Sequence, residues 1–395
     1  MEINGVEVRQ ATNDEVTVGV ISEYDIRIKE CVRECEIDGE PTKVNTAWIG
    51  GTMNVDVNGD TIKHTFRYLD TIRHKKNGDE NKVFKGILTS LGYDVSFNSD
   101  TKKLEYSKID GDNGLVPKIE GKITWLDSNG NKINEVNIKR SGEPTRVKVT
   151  SKLSLQEGLN KDHSDLAFYN ELPVSYISTT NVPDEDSARF TIEGVVKEIA
   201  DEYNSSGATT GRYLVDLVVP NFFGVDVFPF VMLDKWCNTI EDEEIEITKE
   251  MFYVPNSEDS FCQLGDTVKL SGNVEGHSFG SVQAQSSAKK TFGGGSQNVR
   301  QGFTRIEWTI KAGDIVEGED KYDLDTIKVA LNERDIILDN NYKKRLEDYN
   351  NSQNKDSVPK SSPKGSASGT SPFGNSAPKS SPFGGGTTKQ NPFSK

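Results

Sequence analysis

The sequence predicts a mainly β protein: tandem OB-like five-stranded barrels, the first with an insertion, then a C-terminal helix and a disordered tail. Three observations carry that expectation. Short runs rich in β-branched and aromatic residues recur through 184–322, a weaker copy of their pattern precedes residue 183, and beyond Tyr349 the chain is almost pure Ser, Gly, Pro, Lys and Asn. The expected units are 1–183, a β domain with an inserted hairpin; 184–322, a plain barrel; 323–349, a helix; and 350–395, the tail.

The second unit is the clearer. RFTIEGVVKEIADEY alternates and then turns through NSSGATTG, RYLVDLVVP and VDVFPFVML follow, and the three make a meander. An acidic connection, WCNTIEDEEIEITKEMFYV, leads to a fourth strand, GDTVKLSGNVEGH, in which Gly272 permits a bulge. After the Gly-rich loop AKKTFGGGSQNVRQGF, a fifth strand, TRIEWTIKAGDI, places Ile306, Trp308 and Ile310 on one face. A curled first strand and variable loops between the later strands are what a small Greek-key barrel needs.

In the first unit, NTAWIGGTMNVDV and DTIKHTFRYLDTI read as a hairpin turning at Asn58-Gly59. TRVKVTSKLSLQEG echoes GDTVKLSGNVEG, and LPVSYISTT closes the copy. Residues 93–142 are read as an insertion holding a hairpin around Asn129-Gly130. Past the barrels, Ile327, Val329, Ala330, Leu331, Ile336, Ile337, Leu338 and Leu346 recur at helical spacing, with Asp325 as the expected cap, on a helix packed against the preceding domain.

Catalysis finds little support in the motifs. There are four His, no GxSxG, HExxH or phosphate-binding loop, and the acidic pairs fall in connections, so a non-enzymatic protein is expected. Cys31 and Cys35 are spaced like half a zinc site, but no second close pair completes it, and neither cofactor nor metal is expected. The net charge of −15 opposes phosphate binding overall, yet it is segregated: from Lys343 onward nine cations face three acids. That segregation suggests that the tail pairs with the acidic stretches 241–246 and 317–320 when nucleic acid is absent.

Two local clusters combine cations with aromatic rings, the ingredients of a groove that tracks phosphates and stacks unpaired bases. The first holds Lys63, Arg67, Tyr68, Arg73, Lys75 and Lys76; the second holds Lys289, Lys290, Phe292, Arg300, Phe303 and Arg305. Phe222 and Phe223 follow Pro220 in an expected turn and add a third candidate contact. In the tail, SPFG occurs twice and NPF once, so that Phe373, Phe383 and Phe393 recur every ten positions as candidate partner-docking residues.

With those residues in view, the chain resembles the single-stranded DNA-binding proteins of tailed bacteriophages and bacteria, which are built on OB-folds with a flexible C-terminal tail. The resemblance covers 184–320 in strand order, and the tail, where Pro392-Phe393 matches the bacterial Pro-Phe tip; here Ser394 and Lys395 follow it, and the tail is basic. It implies a protein that coats exposed single-stranded DNA during phage replication or recombination, with replication or recombination proteins as tail partners. The competing expectation is a structural or scaffold protein of a virion or replisome. No run approaches the roughly 18 apolar residues of a membrane span, and MEINGVEVRQ lacks the order of a signal peptide, so the cytoplasm, of the host if phage-encoded, is the expected location.

Overall fold

The computed structural model describes residues 2–3, 6–37, 40–69, 82–98, 103–109, 114–139, 142–204, 206–240, 243–284 and 298–356. Two-residue strands β1 (Glu2–Ile3) and β2 (Val6–Glu7) pair at the start. The meander β3 (Asn13–Ile37), β4 (Glu40–Val57) and β5 (Asp60–Leu69) follows. Asn58 and Gly59 take φ values of 53° and 92°, the left-handed geometry that a two-residue hairpin turn requires, as the sequence predicts. Next come α1 (Lys82–Ser90), the hairpin β6 (Tyr93–Asn98) to β7 (Lys103–Lys108), and the hairpin β8 (Glu120–Leu126) to β9 (Lys132–Lys139), with β8 parallel to β3. The insertion thus holds the expected hairpin at Asn129-Gly130 and a second one.

β10 (Arg146–Ser151) pairs with β3, the hairpin β11 (Ser154–Leu159) to β12 (Leu166–Glu171) projects, and β13 (Val174–Ser178) returns beside β10. Thr65 of β5 bridges in parallel to Pro173, closing a ring in the order β3-β4-β5-β13-β10. The second barrel repeats this order. β14 (Ser187–Tyr203), β15 (Thr209–Pro220) and β16 (Val225–Met232) form its meander. After β17 (Lys235–Ile240), β18 (Glu243–Thr248) and α2 (Lys249–Phe252), strands β19 (Thr267–Ala284) and β20 (Asn298–Ile315) complete it. β16 runs parallel to β20, β20 pairs with β19, and β19 pairs back to β14. Each ring is the five-stranded Greek key of an OB-fold.

The two barrels agree residue by residue in register. Ile21 pairs with Val55 before an irregularity at Glu23, and Val196 pairs with Leu217 before one at Glu198. A second irregularity lies between Thr150 and Ser151 in one barrel and between Ser271 and Gly272 in the other. Gly272 is needed there because a Cβ would run into the carbonyl of Thr309. The barrels are also fused edge to edge: β3 and β14 pair from Val18 with Ser187 to Asn13 with Ile192. The segment before Asn13 crosses onto the second barrel, where the Ala11 N–H donates to the Pro220 carbonyl at 3.0 Å and Arg9 lies over the Tyr322 ring at 4.6 Å.

Several expectations are corrected. The acidic connection is the β17–β18 hairpin with a turn of helix, anchored by the Trp236 indole N–H donating to the Lys311 carbonyl at 2.8 Å. TRVKVTSKLSLQEG is not one strand. It breaks at Lys152-Leu153, where the Asn13 side chain accepts from the Leu153 N–H at 2.9 Å and donates to its carbonyl at 3.0 Å in place of a strand neighbour. Part of the Gly-rich loop is strand, since β20 begins at Asn298.

Helix α3 (Leu324–Asp356) outruns the expected end at 349. Its cap is Asp323, which accepts from the Thr326 N–H at 2.8 Å, whereas Asp325 pairs with Lys328. Ile327 and Ala330 are buried, but Ile336 and Ile337 face solvent. The helix also reaches the first barrel, where the Tyr342 hydroxyl donates to the His163 carbonyl at 3.1 Å and the Tyr349 and His163 rings lie 4.1 Å apart. Residues 357–395, with the expected disordered tail and Phe373, Phe383 and Phe393, lie outside the described residues.

Candidate nucleic-acid interface

On β5, strand alternation buries Ile62, His64 and Phe66 and turns Lys63, Thr65 and Arg67 outward. Lys63 and Thr65 form one wall of a cleft of about 610 Å³ between the barrels. Opposite lie Leu214 of β15, Pro229 of β16 and Arg305 of β20, and the floor carries Phe168 and Tyr169 of β12, both exposed, the Phe168 ring lying under the Arg334 guanidinium of α3 at 5.7 Å. The Asn170 amide donates to the Ile306 carbonyl at 3.0 Å and ties the two barrels together beneath it. One residue from each predicted cationic cluster, Lys63 and Arg305, therefore meets in a single groove.

Three glutamates line the same cleft and share two arginines. Glu171 accepts from Arg67 at 2.5 Å; burial pushes its carboxyl up, and the guanidinium works against that. Arg212 holds Glu202 at 2.7 Å and Glu307 at 2.8 Å, and its hydrogen bond draws Glu202 below the usual carboxylate range. Two guanidiniums thus offset two of the three carboxylate charges, and Lys63 and Arg305 lie within Coulombic reach of Glu171 and Glu202.

Beyond Thr65 the outer face of the first barrel carries an aromatic platform. Arg27, Gly50 and Arg67 occupy one row across β3, β4 and β5. The Trp48 indole lies over Gly50, filling the space that any Cβ there would take, and the side chain stays partly exposed. The track from Trp48 between two arginines, along Thr65 and Lys63, into the cleft is continuous on one strand face.

Not all predicted site residues join it. Phe222 and Phe223 are 71% and 92% exposed and meet edge to face at 5.1 Å, but they border a different cavity of about 770 Å³, beside Arg334 and Ile337 of α3. Tyr68, Arg300 and Phe303 lie on β5 and β20, with side chains outside the described residues, and Arg73, Lys75, Lys76, Lys289, Lys290 and Phe292 lie outside them altogether. Sequence reasoning missed Arg27, Trp48, Phe168, Tyr169 and Leu214. The Gly-Gly directly after Trp48-Ile49 was the one available sign of a ring lying on a strand.

One buried constellation has residue types that suggest hydrolysis. The Ser151 hydroxyl lies 3.1 Å from His64 Nδ1 and also hydrogen-bonds Glu15, all sealed inside the first barrel. Here serine sits between acid and histidine, so the carboxyl does not orient the imidazole as a nucleophilic triad requires. Among the described residues, no three His, Cys, Asp or Glu side chains converge as a metal site.

Comparison with known proteins adds a family. The YorF family model matches residues 132–352, from β9 through the second barrel and most of α3. The chain belongs to the YorF family. A crystal structure of a deletion mutant of the single-stranded DNA-binding protein from Thermus aquaticus is similar to this YorF-family chain over 78% of its length and 97% of that chain, at 6% identity and a TM-score of 0.31. No curated protein matches the chain. The YorF match takes in the Phe168–Tyr169 floor and Arg305 but stops short of Trp48 and Lys63.

Proposed function

We propose that this YorF-family protein binds single-stranded DNA without catalysing a reaction on it, and coats exposed strands during replication or recombination. The supporting observation is the inter-barrel cleft, where Lys63 and Arg305 stand beside exposed Phe168 and Tyr169 while the neighbouring glutamates are held by Arg67 and Arg212. Cations supply sequence-independent attraction to phosphates, and ring faces supply stacking that only unpaired bases can use. The test is fluorescence anisotropy of a labelled single-stranded oligonucleotide beside its duplex, at low and physiological salt. Tight binding that prefers the single strand and weakens with salt is expected; absence of binding at low salt refutes the proposal. In that event the exposed Phe222–Phe223 pair favours a scaffold protein that docks partners on this tip.

A further inference from the structure

The tip of the β15–β16 hairpin holds two rings in solvent. The Asn221 N–H donates to the Gly224 carbonyl and the Phe223 N–H to Asn221 Oδ1, both at 2.8 Å, while the Asn221 amide donates to Asp226 at 2.7 Å. Exposed Phe222 and Phe223 thus sit on a tip fixed by its own hydrogen bonds, and both line the cavity of about 770 Å³ together with exposed Ile337 of α3. Buried Val225 and Ala330 also line it, so the cavity is apolar in its depth as well as at its rim. Three carboxylates, Glu157, Asp226 and Glu333, line it against two cations, Lys152 and Arg334. That balance disfavours a phosphate backbone and accepts a cationic segment carrying bulky apolar side chains.

The chain contains such a segment. Residues 357–395 hold five lysines and no acid, and SPFG occurs in them at 371–374 and 381–384. In each motif a proline precedes the Phe and restricts the backbone beforehand, which lowers the entropy lost on docking. The tether favours the same molecule. Leu338, which lines the cavity, is 18 residues before the end of α3 at Asp356, about 27 Å along the helix axis. For a Gly- and Ser-rich chain, the 17 residues from Asp356 to Phe373 have a root-mean-square span of about 23 Å, and the 27 residues to Phe383 about 29 Å. Both spans match the distance back to the cavity, the condition under which a tethered motif reaches its highest effective concentration, in the millimolar range. A motif on a second molecule matches that only when the protein itself is millimolar.

We infer that the cavity beside Phe222 and Phe223 is the docking site for the chain's own SPFG motifs, one at a time. The inference goes beyond DNA binding and does not depend on it.

A fluorescein-labelled peptide of residues 364–379, titrated with the full chain and read by anisotropy, tests it. A tail variant carries Phe373→Ser, Phe383→Ser and Phe393→Ser. A second variant adds Phe222→Ser and Phe223→Ser, both at exposed positions, with an unchanged melting temperature as the control for folding. The tail variant is expected to bind the peptide at least about fivefold more tightly than wild type, whose own motifs compete, and the second variant to lose that binding. Equal binding by wild type and the tail variant, binding that survives the loss of Phe222 and Phe223, or a peptide that binds none of them overturns the inference. In sedimentation velocity, wild type and the tail variant should show the same association state; association that the tail substitutions abolish overturns the inference in favour of a second copy's cavity. Affinity for a single-stranded oligonucleotide should be equal in the two variants, and a loss with Phe222 and Phe223 overturns it in favour of DNA.

Discussion

Glu15 offers the sharpest quantitative test of the fold. Its carboxyl is fully buried in the first barrel, hydrogen-bonded by Thr17 at 2.5 Å and by Ser151, with no cation among those contacts, and burial pushes it up to about 8. Because the folded state holds the proton more tightly than the unfolded chain, the associated stability is intact below the ordinary carboxylate value near 4.5 and is lost as pH rises towards about 8. Each pH unit inside that window costs about 1.4 kcal/mol, less near its edges, so on the order of 2 kcal/mol should vanish between pH 5 and pH 7. His64 acts in the opposite sense: burial lowers it to about 3, so it costs stability as pH falls below its ordinary 6.5 and masks part of the Glu15 slope in the wild type. Glu15→Gln removes one titration and leaves the other. Chemical denaturation of both proteins at pH 5, 6, 7 and 8 should show the variant gaining on wild type with every step, whatever its offset at pH 5. Parallel stability curves across that range would refute the reasoning, since they would mean that Glu15 is ionised in the fold or solvated.

Other perturbations address the interface and the barrel. The double variant Lys63→Ala/Arg305→Ala should weaken single-strand binding and flatten its salt dependence by about 0.7 in logarithmic slope per lost phosphate contact, read from anisotropy titrations at several salt concentrations. Trp48→Ala should lose about 1–3 kcal/mol of binding with little change in salt slope, and Gly50→Ala should approach the same loss by lifting the indole off the strand; a variant that binds like wild type removes the platform from the site. Gly272→Ala should cost roughly 1–3 kcal/mol or more of stability, because the new methyl meets the Thr309 backbone rather than a movable side chain, and thermal melts measure it directly.

Local chemistry made most of the barrels legible. The Asn58-Gly59 and Asn129-Gly130 turns, the 187–232 meander and the bulge at Gly272 each follow from a residue type or a period of two. The echo between TRVKV and DTVKL holds at the level of register, with Val147 and Val268 on equivalent rungs. Strand β3 was missed because DIRIKECVRECE looks polar: Ile26 and Ile28 are buried, but Arg27, Glu30 and Val32 are exposed. The cleft was legible only in halves. Lys63 and Arg305 are 242 positions apart, and only the β3–β14 pairing and the Asn170 contact bring their strands together. The Phe222–Phe223 pair illustrates the converse: its exposure was readable from a turn after proline, but its separation from the cleft depends on where α3 packs.

The shared register also explains why the polar cluster occurs in only one barrel. Glu15 pairs with Ser151 as Phe190 pairs with Gly272, and His64 precedes the bridging Thr65 as Phe230 precedes the bridging Val231. At the three rungs where the first barrel sets Glu15, His64 and Ser151, the second sets Phe190, Phe230 and Gly272. There the two rings lie 5.3 Å apart, and the Phe190 ring occupies the space that a side chain on Gly272 would need. They are two solutions to one site, since a carboxyl and an imidazole sealed from water need a hydroxyl between them, which here still leaves Glu15 Oε2 and His64 Nε2 without a partner, while two rings need its absence. Thr17 belongs to the same exchange: opposite Val149 it occupies the rung that Ile192 fills opposite Leu270 in the second barrel. Replacing Glu15→Phe, Thr17→Ile, His64→Phe and Ser151→Gly together removes all partners at once, so no buried polar group is orphaned, and the remaining cost is overpacking of roughly 1–3 kcal/mol. The quadruple variant should fold, bind single-stranded DNA as wild type does because none of these residues reaches the surface, and lose both the acid-side and alkaline-side slopes of stability. Glu15→Phe alone should be far more damaging, because it strands the Thr17 hydroxyl and sets a ring beside the Ser151–His64 pair. If instead the quadruple variant is the less stable of the two, the barrels do not share one solution space, and their common register reflects strand geometry alone.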